Sequence, residues 1–186
     1  MSMSIIDYRE AQATLADADV IHDEAQVSEA VARVAATISA DLGEKCPLVL
    51  CVMTGGLVFA GQLLTQLRFP LQFDYLHVTR YGQDTAGGAL SWKAAPWTSV
   101  KDRIVLVVDD ILDQGVTLAV IRDRLLQLGA AEVRTAVFAD KDNGLDKPIR
   151  ADYVAVSVPN RFVFGYGMDV RGAWRNLPAV YAVKGL

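Results

Sequence analysis

Five apolar residues, Ile104 to Val108, run straight into Asp109 and Asp110, and Asp113, Gly115 and Thr117 follow in the stretch RIVLVVDDILDQGVTLAVIRDRLLQLG (103–129). Like charges this close destabilise one another unless something positive is shared among them. Gly115 permits a tight turn and lets a ligand approach the backbone. A helix opening near Val116, with the Thr117 hydroxyl, would aim N–H groups at an anion. Phosphate is the natural occupant. Acids beside a phosphate make sense if they bind sugar hydroxyls, which are donors, or if Mg²⁺ lies between. A lone Asp here would read as a helix cap or a solvated charge, but three acids within five residues of an apolar strand point to a site.

The rest of the chain alternates strands with helices. Val27, Ala30, Val31, Val34, Ile38 and Leu42 recur at helical spacing over 25–42, with Asp23 as N-cap and Gly43 at a C′ position. PLVLCVM (47–53) is a continuous apolar run, as in a strand covered on both faces. TGG and a helix over 57–67 follow it. LQFDYLHVTRYG (71–82), EVRTAVFADK and ADYVAVSVP supply further strands. Short βα steps predict an open α/β fold with a mostly parallel central sheet flanked by helices. Ligands in such folds sit beyond the carboxyl ends of the strands, which singles out 54–56, 80–81, 109–117 and 141–143.

At 186 residues the chain is expected to form one domain, 1–186, and 52% hydrophobic with 22% charged residues suits a packed core. The net charge of −4 gives no electrostatic case for nucleic acid. Cys46 and Cys51 have no CxxC spacing and read as reduced thiols, Cys51 facing the core. MSMSIIDYREAQ has no basic n-region before an apolar block, and no apolar run reaches membrane-span length. A cytoplasmic protein without a membrane partner is therefore expected. No internal repeat or linker divides the chain.

VVDDILDQGVT (107–117) closely resembles the phosphoribosyl-diphosphate signature of the type I phosphoribosyltransferases. KDNGLDKP, from Lys141, and DYVAVSVPNRFVFGYGMDVRGAWRNLPAVYAV (152–183) are similar to the hypoxanthine–guanine (6-oxopurine) branch. That resemblance implies the family's fold, with a small hood made by terminal segments and a mobile flap at about 82–100. It implies a Mg²⁺-dependent purine-salvage enzyme joining phosphoribosyl diphosphate to N9 of hypoxanthine or guanine. By resemblance, Asp109 and Asp110 hold the ribose hydroxyls, directly or through metal, and Asp113 is the general base near purine N7. Gln114, Gly115, Val116 and Thr117 complete the 5′-phosphate cradle with Asp113. Thr54, Gly55, Gly56, Arg80, Tyr81 and Arg175 fall on pyrophosphate. Lys141 meets the 6-oxo group, Phe162 stacks on the base and Val163 offers its backbone to the base edge. Asp169 lies at the purine side and, with Asp109 and Asp110, meets Mg²⁺. The family usually forms dimers or tetramers, so a homodimer or homotetramer is implied.

Taken singly, these residues have ordinary alternatives: Lys141 as a solvated lysine, Phe162 as core, Asp169 as a turn residue, Arg175 as a surface side chain. Their order and spacing set them apart. Three positions depart from the family. Gln114 replaces a usual Thr, Thr54 stands in MTGG where a basic residue is common, and Arg80 replaces Ser before Tyr81. The resemblance also implies a cis peptide at Met53–Thr54, and Arg80, where the chain departs from the family, is expected to supply the charge that Thr54 lacks. A xanthine preference, a non-catalytic sensor on the same fold, and an acidic-pocket receiver domain are the competing readings.

Overall fold

The computed structural model describes residues 7–80 and 90–185. In chain order these form α1 (Tyr8–Asp17), β1 (Asp19–His22), α2 (Glu24–Leu42), β2 (Leu48–Met53), α3 (Leu57–Leu64), β3 (Gln72–Arg80), β4 (Leu90–Ala94), β5 (Ile104–Leu112), α4 (Val116–Gln127), β6 (Glu132–Asp142), β7 (Tyr153–Pro159), β8 (Val163–Phe164) and β9 (Val180–Ala182). The large sheet runs β4-β3-β2-β5-β6-β7, parallel throughout except for β4. The small sheet, β1-β9-β8, is antiparallel and joins the two terminal segments as the expected hood.

Why the central strands read as unbroken apolar runs follows from the layers. On β2 and β5, Val49, Cys51, Leu106 and Val108 face one core with α2 and α3, whereas Leu48, Leu50, Val105 and Val107 face a second core with α4. Both faces are dry, so no polar alternation survives. The α2 helix starts in a capping box between Asp23 and Gln26 and buries Val27, Ala30, Val31, Val34, Ala35, Ile38 and Leu42. Each such apolar side chain contributes roughly 1.5–3 kcal/mol when fully buried.

Some sequence expectations change. Gly43 is the C-cap of α2 with helical backbone (φ −58°), so its lack of a Cβ is not needed for a left-handed turn. The α3 helix stops at Leu64, although Leu67 beyond it is still buried in the first core. Within the expected flap, 81–89 lies outside the described residues, while β4 pairs antiparallel with β3. Trp92 packs partly against the second core and Val100 is buried there, so the C-terminal part of that stretch is framework. Neither α1 nor the hood strands β1, β8 and β9 was signalled by sequence pattern.

Phe138 links the sheet to the C-terminal segment, with its ring centroid 5.8 Å from Phe59 and 4.3 Å from Tyr166. It is fully buried. Phe138→Ala is expected to cost about 3–5 kcal/mol of unfolding free energy, measured by urea titration; a loss below about 1 kcal/mol would contradict this packing.

Candidate active site

The direction of winding reverses between β2 and β5: α3 leads outward to β3 over one face, and α4 leads outward to β6 over the other. Such a switch point opens a crevice at the carboxyl ends of the strands. A cavity of about 460 Å³ occupies it, lined by Thr54 and Gly55 after β2, by Asp109 to Gly115 and Thr117 from β5 and its turn, and by Asp169 and Arg175. A second cavity of about 180 Å³ adjoins, lined by Lys141, Phe162, Val163 and Met168. Asp110, Ile111, Asp113 and Asp169 line both, so the acids form the strip between two compartments.

Gly115, at φ +79°, caps α4 in the left-handed region, which frees the turn between Asp113 and Val116 from any Cβ clash. No aspartate side chain caps α4, so the ordinary helix-cap reading of these acids does not apply. In the first loop the Met53–Thr54 peptide is cis, as the resemblance implied. Gly55 is squeezed between two elements. A Cβ there would collide with the Asp110 carboxylate, and a Cβ on Gly167 (φ +101°) would collide with the Gly55 carbonyl. The C-terminal segment thus docks backbone against backbone on the first loop. Gly56 is the N-cap of α3, closed in by the Val52 and Val108 carbonyls, and lines neither cavity.

Asp109 is buried, and its Oδ1 accepts the Asp110 N–H at 2.9 Å. Burial, and then the charge of Asp110, push the Asp109 carboxyl well above the usual carboxylate range. Burial also raises Asp110, opposed by its bond to Asp109, the charge of Arg175 and the Ile111 N–H at 2.8 Å. Burial together with both acids pushes the Cys51 thiol behind them up to about 12, so it stays an inert thiol. The Arg175 guanidinium bridges the acidic strip: it ion-pairs with Asp169, lies 3.9 Å from Asp110 and donates to the Gly167 carbonyl at 2.6 Å. Asp169 is fixed in turn by the Gly172 N–H at 2.7 Å.

Asp113 is set apart from the other two. Its side chain is 48% exposed, Lys141 Nζ reaches its Oδ2 at 3.2 Å, and Asn143 Nδ2 donates to its Oδ1 at 3.0 Å and its carbonyl at 2.9 Å. Phe162 is 46% exposed at the smaller cavity, so its ring is available to a planar ligand and core packing is excluded. Val163 beside it is buried. Val116, the first residue of α4, lines neither cavity. Arg80 ends β3, and Tyr81 lies outside the described residues. Sequence reasoning gave no role to Asn143, Met168, His77 or Thr79, all of which the fold brings to the site. For His77 and Thr79 the available signal was their two-residue spacing at the carboxyl end of a strand.

The model of the family described as phosphoribosyl transferase domain matches residues 17–171. The chain belongs to the phosphoribosyltransferase family. It is 34% identical over 166 residues to the hypoxanthine-guanine phosphoribosyltransferase of Streptococcus pneumoniae, covering 89% of this chain and 91% of that one. It is 32% identical over 168 residues to the hypoxanthine-guanine-xanthine phosphoribosyltransferase of Tritrichomonas foetus, covering 89% and 91%. Among solved structures, a hypoxanthine phosphoribosyltransferase from Staphylococcus aureus superposes with a TM-score of 0.87 at 26% identity, covering 96% of this chain and 97% of that one.

The donor set suits a hard divalent cation. Among the described residues no three His, Cys, Asp or Glu side chains gather into a ready cage. Mg²⁺ is commonly held by one or two carboxylates together with waters and substrate phosphates, which fits the paired Asp109 and Asp110 beside an open cavity.

An acid whose folded pKa lies above its unfolded value takes up a proton on folding, so its ionisation penalises the fold. Stability is therefore undiminished below the ordinary carboxyl value of 3.8 and falls as pH rises from there through the raised folded value. Asp109→Asn is therefore expected to raise the neutral-pH melting temperature of the ligand-free protein, roughly 2–4 °C per kcal/mol, and to flatten its pH dependence. A lower melting temperature in calorimetry would overturn this. Gly167→Ala meets both a positive φ and the Gly55 carbonyl; it is expected to cost more than about 1 kcal/mol in chemical denaturation.

Proposed function

We propose that the chain is a purine-salvage phosphoribosyltransferase that transfers 5-phosphoribosyl from phosphoribosyl diphosphate to N9 of hypoxanthine or guanine, giving the nucleoside monophosphate and pyrophosphate. One observation carries the reading: a strip of acids separates a large polar cavity from a small one with an exposed aromatic ring. The large cavity suits a sugar bearing phosphates and the small one a planar base, so the anomeric carbon would lie over the strip.

Each side chain then has a task. Gly115 and the N-terminal turn of α4, with Gln114 and Thr117, receive the 5′-phosphate. Asp109 and Asp110 accept hydrogen bonds from the ribose hydroxyls. Thr54, Gly55 and Arg175 face the leaving diphosphate, and Arg80 and Tyr81, whose side chains lie outside the described residues, are assigned to it on the family resemblance alone. Phe162 stacks on the base, the Val163 backbone meets its edge, and Lys141 donates to the 6-oxo oxygen. As purine N9 bonds to the anomeric carbon, the bond to the diphosphate oxygen breaks and positive charge develops on the sugar. The N7 proton passes to Asp113, which stands apart from the other two acids and within reach of Lys141. Asp109, Asp110 and Asp169 would hold Mg²⁺, which supplies charge neutralisation to the leaving diphosphate. Lys141 and Arg175, now paired with Asp113 and Asp169, would exchange those partners for substrate.

No described helix is long and apolar enough to cross a membrane, which fits a cytoplasmic enzyme acting on small molecules. The exposed Phe73 and Tyr75, two residues apart on β3, fit contact with a second copy in a homodimer or homotetramer.

Purified protein with phosphoribosyl diphosphate and Mg²⁺ is expected to form nucleotide from hypoxanthine or guanine, with xanthine and adenine as comparison arms. No nucleotide from any base would refute the reading. Asp113→Asn is expected to lower kcat by about 10²–10⁴-fold while phosphoribosyl-diphosphate affinity changes by less than about threefold; equal losses in both would make Asp113 purely structural.

A further inference from the structure

Lys147 is an inconspicuous cation behind the site, and its ammonium is fully bonded. Its side chain is 12% exposed. An ammonium has three donors, and here they reach three acceptors: the Leu112 carbonyl at 2.9 Å, the Asp140 carboxylate at 2.6 Å and the Lys141 carbonyl at 2.6 Å. These acceptors belong to two neighbouring strands. Leu112 immediately precedes Asp113, and Asp140 immediately precedes Lys141.

The sheet explains why a clamp is needed at this place. The ladder between β5 and β6 ends at the pair Leu112↔Asp140. One residue further on, Asp113 and Lys141 have no backbone rung between them, yet their side chains must meet at 3.2 Å. The ammonium of Lys147 bonds across that unladdered gap. Side chains of the same segment also pack there: the position a Cβ would take on Gly115 is 3.3 Å from Lys147 Cβ and 3.3 Å from Pro148 Cδ. The segment 147–149 therefore also lies against the turn proposed to hold phosphate.

We infer that Lys147 is a positioning residue that sets the spacing of Asp113 and Lys141, and so of the proton acceptor and the 6-oxo donor on a bound purine. This rests on the function proposed above. Lys147 itself lines neither cavity of the site. With Lys147 gone, the Asp140 carboxylate, 40% exposed, can turn to water, so no buried charge is stranded while the strand ends lose the bond that joins them. A displacement near 1 Å at a reacting group can cost about 100-fold in rate.

The test compares wild type, Lys147→Met and Asp140→Asn in the intact protein. Purine and phosphoribosyl diphosphate are varied separately, and GMP binding is measured by calorimetry. Lys147→Met is expected to lower kcat/KM for the purine by about tenfold to 100-fold, with KM for phosphoribosyl diphosphate within about threefold and GMP affinity reduced. Asp140→Asn, which keeps the lysine but removes its charged partner, should move the same way by a smaller factor and stands in if the methionine variant does not fold. Lowered thermal stability with unchanged purine kinetics and unchanged GMP affinity would overturn the inference and leave Lys147 a simple staple. So would equal losses for both substrates. Wild type that binds GMP but forms no nucleotide refutes the enzyme reading alone, and GMP affinity of the variants then decides the role of Lys147. Wild type that does neither refutes both.

Discussion

Two carboxylates on consecutive residues, both withdrawn from water at the end of a central strand, are the constraint around which the molecule is arranged. Burial of Asp109 and Asp110 opposes folding, and the remaining structure must hold them there. Two dry cores fix β5 on both faces. Gly55 yields its side chain so that Asp110 has room, and Gly167 yields its own so that the C-terminal segment can close over Gly55. Arg175 arrives on that segment and brings the one guanidinium that, among the described residues, bridges Asp110 and Asp169. A strained cluster of acids at a binding site is the familiar exchange of stability for function.

Local order was legible where it is written locally. PLVLCVM and RIVLVVDD announce doubly covered strands, and Asp23 announces the start of α2. DDILDQGVT announces a turn with acids on one side and an anion cradle on the other. What could not be read depends on pairing across the chain. β1 and β9 are four and three residues long, and neither has a pattern until the other is beside it. Trp174 donates to the Ala11 carbonyl at 2.8 Å, and nothing in either stretch names its partner. Position was also easier than contact. The residue type and place of Lys141 pointed to the site, but its ion pair with Asp113, and the roles of Asn143 and Lys147, come from the path of the loop after β6.

The same distinction applies to the far end of the stretch expected to be a flap. The resemblance implied one mobile unit over about 82–100, whereas Trp92 packs partly against the second core and Val100 is buried in it. Hydrophobic anchors, two in some twenty residues, are too sparse for a periodicity argument and sufficient for packing.

The two sides of the site differ in their foundations. The acidic strip and the phosphate turn grow from a six-stranded sheet, whereas Phe162 and Val163 stand at the start of a hood of three short strands. The hood is held to the body by Val163, Val180 and Ala182, which pack into the first core, and by a bond between His22 Nε2 and the Ser157 carbonyl at 2.8 Å. On the function proposed above, the base and the sugar phosphate would rest on separate foundations, so a substitution among the three short strands would act on one side of the site and leave the sheet that carries Asp109 and Asp110 in place.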